Sequence, residues 1–408
     1  MTATKMSPPW LQEPALVTVF DALEAAGGEV RVNGGAVRNT LMDEPVSDID
    51  LSTTLHPQQV IEALKAAGLK ALPTGIDHGT ITAVSQKTGF EITTLREDIE
   101  TDGRRAVVKF ATDWKADALR RDLTMNALYL DRHGTVYDPL GGIEDLRACL
   151  VRFVGDAETR IREDYLRVLR FFRFFAWYGK GRPDSDGLKA CAKLKDGMAD
   201  LSIERVWAEL IKLLAAPDPS RALLWMRTTG VLTKVLPESE KWGIDNIHPL
   251  LDAERELGWK RDALLRLQAI IPPRDDTVIA FASRMKVANA VRDRLMAWMN
   301  VSTGVPLETV CDVRAARYRT RKNENAVIDV LKHRVALAKR NRDHAAVLLA
   351  AAMSFKPPVL PISGKDLIAH GLEPGEALGE TLARLENDWI AADFSLDRDA
   401  LLATVKDL

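Results

Sequence analysis

The chain has 408 residues, 46% of them hydrophobic, with 56 Lys and Arg against 58 Asp and Glu for a net charge of −2. That composition supplies buried cores for roughly two to four domains and excludes a chain disordered throughout, while the near-neutral balance excludes a protein that coats nucleic acid indiscriminately, so any RNA contact must be local. Cys149, Cys191 and Cys311 are widely separated without C-x-x-C spacing, and no apolar run is long enough to cross a bilayer or form a signal peptide, so a soluble cytoplasmic protein without disulfides or zinc is expected.

Residues 1–155 mix two periods. Helical spacing over Ala15–Ala26 and Pro57–Ala67 alternates with β-like runs at Thr80–Val84, Phe90–Leu95, Thr124–Leu130 and Leu150–Val154. From Gly155 onward apolar residues recur at three and four, broken by prolines such as Pro217, Pro237 and Pro306, and helices alone are expected to the end.

Within the first part, a β-prone run, Glu29 to Val32, meets Gly34-Gly35, then a helical segment, a loop closed by Pro45, and Asp48-Ile49-Asp50 in strand alternation. A strand over these residues would project both carboxylates from one face and send Ile49 and Leu51 into a core. Adjacent anionic oxygens suit a divalent ion, and Mg2+ favours one or two carboxylates plus substrate phosphates. Gly34 and Gly35 let the backbone approach a phosphate, the helix start offers free N–H groups, and Arg38 adds a forked cation. The third glycine of a dinucleotide fingerprint and the G-K-[ST] of a Walker loop are both missing.

Further along, Glu91 stands in a strand pattern, and Arg96 to Leu119 reads as a polar loop with few structure signals. Arg120-Arg121-Asp122 with Asn126 gathers cations, an acceptor and an amide suited to phosphate and ribose. Arg162 to Tyr178 reads as one helix with a polar stripe of Asp164, Arg167, Arg170 and Arg173 opposite Tyr165, Val168, Leu169, Phe172 and Phe175. Ser202 caps a further amphipathic helix. Arg314 to Arg342 is crowded with cations, either a solvated helix face or an RNA contact.

G-G-A-V-R followed by D-I-D, F-E-I-T-T-L-R at Phe90, R-R-D-L-T-M-N-A at Arg120, E-D-Y-L-R at Glu163 and E-R-V-W-A-E-L at Glu204 together resemble the class II, bacterial-type tRNA CCA-adding nucleotidyltransferases and their poly(A) polymerase relatives. The resemblance implies an α+β fold: a polymerase-β-like head with a mixed sheet on residues 1–155, then an all-α neck (156–235), body (236–345) and tail (346–408). It implies that Asp48 and Asp50 hold two Mg2+ ions, with Glu91 as a third carboxylate near the primer 3′-hydroxyl. Gly34, Gly35, Arg38 and Arg121 would serve the triphosphate, and Asp122 and Asn126 the sugar. Asp164 and Arg167 would face the Watson–Crick edge of the base, and Arg170 and Arg173 the phosphates. The implied substrates are CTP, ATP and the acceptor and TΨC limb of tRNA, with neither DNA nor membrane as partner. The implied reaction is in-line attack of the RNA 3′-hydroxyl on the α-phosphate. Relatives that add only CC have the loop after Arg96 shortened, so its presence favours A addition. A poly(A) polymerase and an A-adding specialist share these motifs; a non-catalytic RNA-binding protein would not need Asp48 and Asp50. Asn39, where relatives often have Asp, and Asp43-Glu44, in place of the usual Gly, depart from the pattern.

Overall fold

The computed structural model describes residues 4–102, 105–240 and 242–405. The chain divides into two compact units, Met1–Val235 and Leu236–Leu408.

The first unit opens with helix α1 (Pro14–Ala25), strand β1 (Val30–Asn33), α2 (Gly35–Leu41), β2 (Asp50–Thr53) and α3 (Pro57–Ala66). Strands β3 (Lys70–Gly75), β4 (Thr80–Ser85) and β5 (Thr88–Thr94) follow, then the pair β6 (Arg96–Asp102) and β7 (Arg105–Phe110), helix α4 (Trp114–Leu119), and short strands β8 (Tyr129–Leu130) and β9 (Val136–Tyr137). Helices α5 (Gly142–Arg147), α6 (Ala157–Glu163), α7 (Leu166–Tyr178), α8 (Ser185–Leu194) and α9 (Ile203–Leu214) lead towards the end of the unit.

One sheet of seven strands runs β3-β4-β5-β2-β1-β8-β9. Its pairs are antiparallel except β2 with β5, which is parallel. The ladder aligns Val32, Leu51, Ile92 and Ile81 across four strands, all fully buried. Each such side chain contributes about 1.5–3 kcal/mol on burial. Helices α1 and α3 pack on β4, and Leu16, Val19, Phe20, Val60 and Leu64 are buried on them. Because side chains alternate, the next row, Asn33, Asp50 and Glu91, faces away from that core.

The mixed sheet and the helical remainder match the expected fold, and four local expectations fail. Asp48 and Ile49 precede β2, which begins at Asp50, so Asp48 is not on the strand. The polar stretch after Arg96 is largely the β6–β7 hairpin, pairing Arg96 with Phe110 and Asp102 with Arg105; Gly103 and Arg104 lie outside the described residues. Its ladder is made by backbone groups, which a charge-rich composition does not reveal. The strands expected over Thr124–Leu130 and Leu150–Val154 shrink to Tyr129–Leu130 and one bridge between Leu123 and Phe153. Asp122 accepts the Leu123 amide at 2.8 Å and the Asn126 side chain at 3.0 Å, bending this segment into a 3-10 turn. Finally, the helix expected over Arg162–Tyr178 is broken between α6 and α7. Asp164 is extended (φ −156°, ψ 107°), and its carboxylate accepts the Leu166 amide at 3.0 Å.

The second unit is helical among its described residues, from Ile247–Glu256 to Arg398–Ala403. One core gathers Leu367, Leu385, Trp389, Ile390 and Leu401 around Tyr318. Elsewhere in the unit Arg266 and Glu254, 1% and 4% exposed, form an enclosed ion pair at 2.6 Å.

Candidate active site

The open row of the sheet puts Glu91 directly beside Asp50 in the parallel ladder, and both are exposed. Adjacent strands lie about 4.8 Å apart. Asp48 is exposed just ahead of the strand, its Oδ2 accepting from Ser47 at 2.9 Å. The surrounding protein crowds the Asp50 carboxyl although its tip reaches solvent; this partial burial, then the like charges of Glu91 and Asp48, raise it above the usual carboxylate range against the pull of Arg121. Like charges crowded together in this way disfavour one another, and a cation placed between them would relieve that repulsion.

Gly34 turns the chain from β1 into α2 at φ +61°, ψ −111°, a conformation open only to glycine. The Arg38 guanidinium on α2 is enclosed beneath this turn. It donates to Asn126 Oδ1, to Asn39 Oδ1 and to the Tyr178 hydroxyl at 3.0 Å, and stacks on Tyr178 with its centre 4.5 Å from the ring centroid.

Arg121 lies behind the carboxylate row with its fork turned inward. It donates to Asn33 Oδ1 (3.0 Å), Ser52 Oγ (3.4 Å), the Tyr129 hydroxyl (3.1 Å) and Asp117 Oδ2 (3.1 Å). Asp117, wholly buried, also receives Arg120 at 2.6 Å and the Tyr129 hydroxyl at 2.7 Å. Burial works to raise the Asp117 carboxyl; Arg121 and Arg120 outweigh it and hold it low. Sequence reasoning missed this bolt of Asn33, Ser52, Asp117 and Tyr129. Only the spacing of Asp117 from Arg120 and Arg121, three and four residues on a helix, could have signalled part of it.

A second chain of bonds runs from α7 to α2. Arg170 meets Asp122 Oδ2 at 2.6 Å, Asp122 Oδ1 accepts Asn126 at 3.0 Å, and Asn126 accepts Arg38. Each residue of the expected polar stripe has its own partner. Asp164 receives Arg205 at 2.6 Å, Arg167 is joined to Glu163 and reaches the Arg120 carbonyl at 3.2 Å, and Arg173 meets buried Glu209 at 2.5 Å. Arg205 and Glu209 come from the E-R-V-W-A-E-L segment on α9. Asp50 and Glu91 thus stand side by side on the sheet with Asp48 just ahead of it, Gly34, Gly35, Arg38, Asn126 and Asp122 lie around α2, and Asp164, Arg167, Arg170 and Arg173 along α7 and its start.

The cations after Arg314 divide. Arg317 is buried and bonds the carbonyls of Ala352 and Glu324, Arg342 pairs with Glu256 at 2.7 Å, and Lys322, Lys339 and Arg340 are exposed.

Residues 30–152 match the family model described as the poly A polymerase head domain, and residues 183–242 that described as a probable RNA and SrmB-binding site of polymerase A. The human mitochondrial CCA tRNA nucleotidyltransferase 1 is 34% identical over 386 residues, covering 93% of this chain and 86% of the relative. The chain belongs to the CCA tRNA nucleotidyltransferase family. A CCA-adding enzyme of Lactobacillus helveticus is 30% identical over 393 residues, covering 96% of each chain. The crystal structure of the Bacillus stearothermophilus CCA-adding enzyme in complex with CTP is similar at a TM-score of 0.78 and 26% identity, over 98% of both chains. The family fold therefore extends through the helical part as well as the sheet.

One consequence of the Arg170–Asp122 bond is measurable. Burial would raise the Asp122 carboxyl, but Arg170, Asn126 and the Leu123 amide override it and hold it at about 2, below the ordinary 3.8. A depressed carboxylate stabilises the fold above its unfolded value, and that contribution disappears as pH falls through the folded value. Urea unfolding should show wild type losing about 2 kcal/mol more than Asp122→Asn between pH 5 and pH 2. Equal losses would mean that the pair forms no stronger bond in the folded chain than in the unfolded one.

Proposed function

We propose that this family member adds the 3′-terminal CCA to tRNA from CTP and ATP. The observation that carries the chemistry is the exposed row of Asp50 and Glu91 with Asp48 beside it, next to the half-buried Arg121. The activity named for relatives alignable along nearly the whole chain supports the substrate.

The donor set fits Mg2+: all oxygen, anionic and mutually repelling. Among the described residues no three acidic, histidine or cysteine side chains enclose a metal by themselves, which suits an ion that takes its remaining ligands from water and phosphate. Held by Asp48 and Asp50, Mg2+ would neutralise charge on the α-phosphate and favour the ionised 3′-hydroxyl of the RNA. Glu91 accepts that hydroxyl's proton at its carboxylate or supports Asp50. The Gly34-Gly35 turn and Arg38 receive the triphosphate, and Asn126 with Asp122 the ribose. Asp164 and Arg167 read the base edge by exchanging their present partners, Arg205 and Glu163, for cytosine or adenine. Arg121, Arg170 and Arg173, each already bonded to a carboxylate, brace these groups more than they grip phosphate. The β6–β7 hairpin supports addition of the terminal A.

The division into head, neck, body and tail belongs to the same proposal, with the last border moved beyond Ser354 because helix Arg342–Ser354 runs unbroken through residue 345. Exposed Lys322, Lys339 and Arg340 suit the acceptor and TΨC limb. The three unpaired cysteines suit the cytoplasm, and among the described residues no helix is long and apolar enough to cross a membrane.

Incubation with tRNA lacking its 3′ end, followed by sequencing of product ends, tests the reading. CTP alone should give CC, and CTP with ATP should give CCA and stop. A run of A from ATP alone would instead assign a poly(A) polymerase.

A further inference from the structure

Arg38 is a buried cation without a counter-ion. It is 7% exposed, and among the described residues no carboxylate forms an ion pair with it. Its bonds go only to neutral acceptors: Nε and Nη2 to Asn39 Oδ1 at 3.2 and 3.0 Å, Nη1 to Asn126 Oδ1, and Nη2 to the Tyr178 hydroxyl at 3.0 Å. Asp122, behind Asn126, is occupied by Arg170. A guanidinium has five N–H groups, so these bonds leave one on Nη1 for a ligand. A charge removed from water in this way needs an anion to complete it.

Tyr178 fixes where that remaining N–H can point. Its hydroxyl takes Arg38 Nη2 and donates to Asn39 Oδ1 at 3.1 Å, and its ring lies 4.5 Å from the guanidinium centre, with Phe174 at 5.0 Å. The residue ends α7, a helix of 13 residues whose other end adjoins Asp164 and Arg167. One rigid element of about 20 Å thus carries Arg167 at its start, just after Asp164, and the anchor of the proposed phosphate arginine at its finish.

We propose that Tyr178 is a positioning residue for nucleotide binding: it orients Arg38 towards the phosphates of CTP and ATP alike and ties the phosphate turn on α2 to α7. This deepens the proposed function and rests on it. Because the phosphates are common to both nucleotides, the effect must not depend on the base.

The test is equilibrium binding of CTP and of ATP to the full chain without RNA, together with KM and kcat for addition. Tyr178→Phe keeps the ring face and removes the hydroxyl. It should weaken both nucleotides equally, by about three- to tenfold in Kd and KM, with kcat within about twofold. Trp177→Phe is the control, since it removes a bond of 2.8 Å from Trp177 Nε1 to the Lys212 carbonyl on the same helical turn without touching Arg38. It should cost similar thermal stability and leave binding unchanged. In an Arg38→Lys background, where the fork is lost, Tyr178→Phe should add little. Unchanged binding by Tyr178→Phe, weakening of one nucleotide only, an equal effect of Trp177→Phe, or full additivity with Arg38→Lys would each overturn the role of Tyr178. Failure of the wild type to bind either nucleotide would overturn the proposed function itself.

Discussion

Asp50→Ala should reduce nucleotide addition at least about a hundredfold, because the group lost is worth several kcal/mol of charge stabilisation in the transition state. The folded state should not suffer. Asp50 is exposed, makes no ion pair among the described residues, and is crowded by Glu91 and Asp48, so its removal relieves repulsion. The informative result is therefore a divergence: activity collapses while the melting temperature stays level or rises slightly. Asp48→Ala should behave similarly, since Asp48 is likewise exposed and among the described residues its side chain bonds only Ser47. Either variant retaining more than about a tenth of wild-type turnover would remove the pair from the chemistry.

Asp117→Ala should do the reverse and strike stability first. The carboxylate is fully buried and satisfies Arg120, Arg121 and Tyr129 together. Removing one partner of a buried ion pair costs about 3–5 kcal/mol because the other charge is left uncompensated. For a unit of this size that corresponds to a fall of roughly 10 °C in melting temperature. Activity should also decline at temperatures where the fold survives, because the freed Arg121 no longer holds Asn33 and Ser52 beside Asp50. Thermal unfolding and single-turnover addition at low temperature separate the two effects. A melting temperature within about 2 °C of wild type would show that Arg121 finds another partner.

What could be read from the sequence was what local chemistry dictates. The alternation in V-R-V-N and F-E-I-T-T reports a face that must be buried, and paired glycines report a turn that other residues resist. What was hidden depends on partners far along the chain. The break at Asp164 is held by Arg205, and the inward fork of Arg121 by Asn33 and Ser52, neither of which leaves a mark within a helical or strand window. The β6–β7 hairpin escaped because charged residues carry a backbone ladder as well as apolar ones do. Between Asp122 and Asn126, β-prone composition lost to side chains that bond the nearby backbone. The placement of the candidate carboxylates was legible only in part: Asp50 and Glu91 are strand neighbours, whereas Asp48 precedes the strand on which alternation had put it.

The parallel pairing of β2 with β5 has a consequence for synthesis on the ribosome. The two strands are consecutive in the sheet but separated in sequence by α3, β3 and β4, and β5 inserts between β2 and β4. Until Thr94 has left the exit tunnel, both flanking edges remain open, and an open edge is a template for pairing with another chain. The nascent protein thus passes through a window in which β2, the strand that begins at Asp50, is the exposed one, and aggregation during expression should depend on how quickly translation carries it from Thr53 to Thr94.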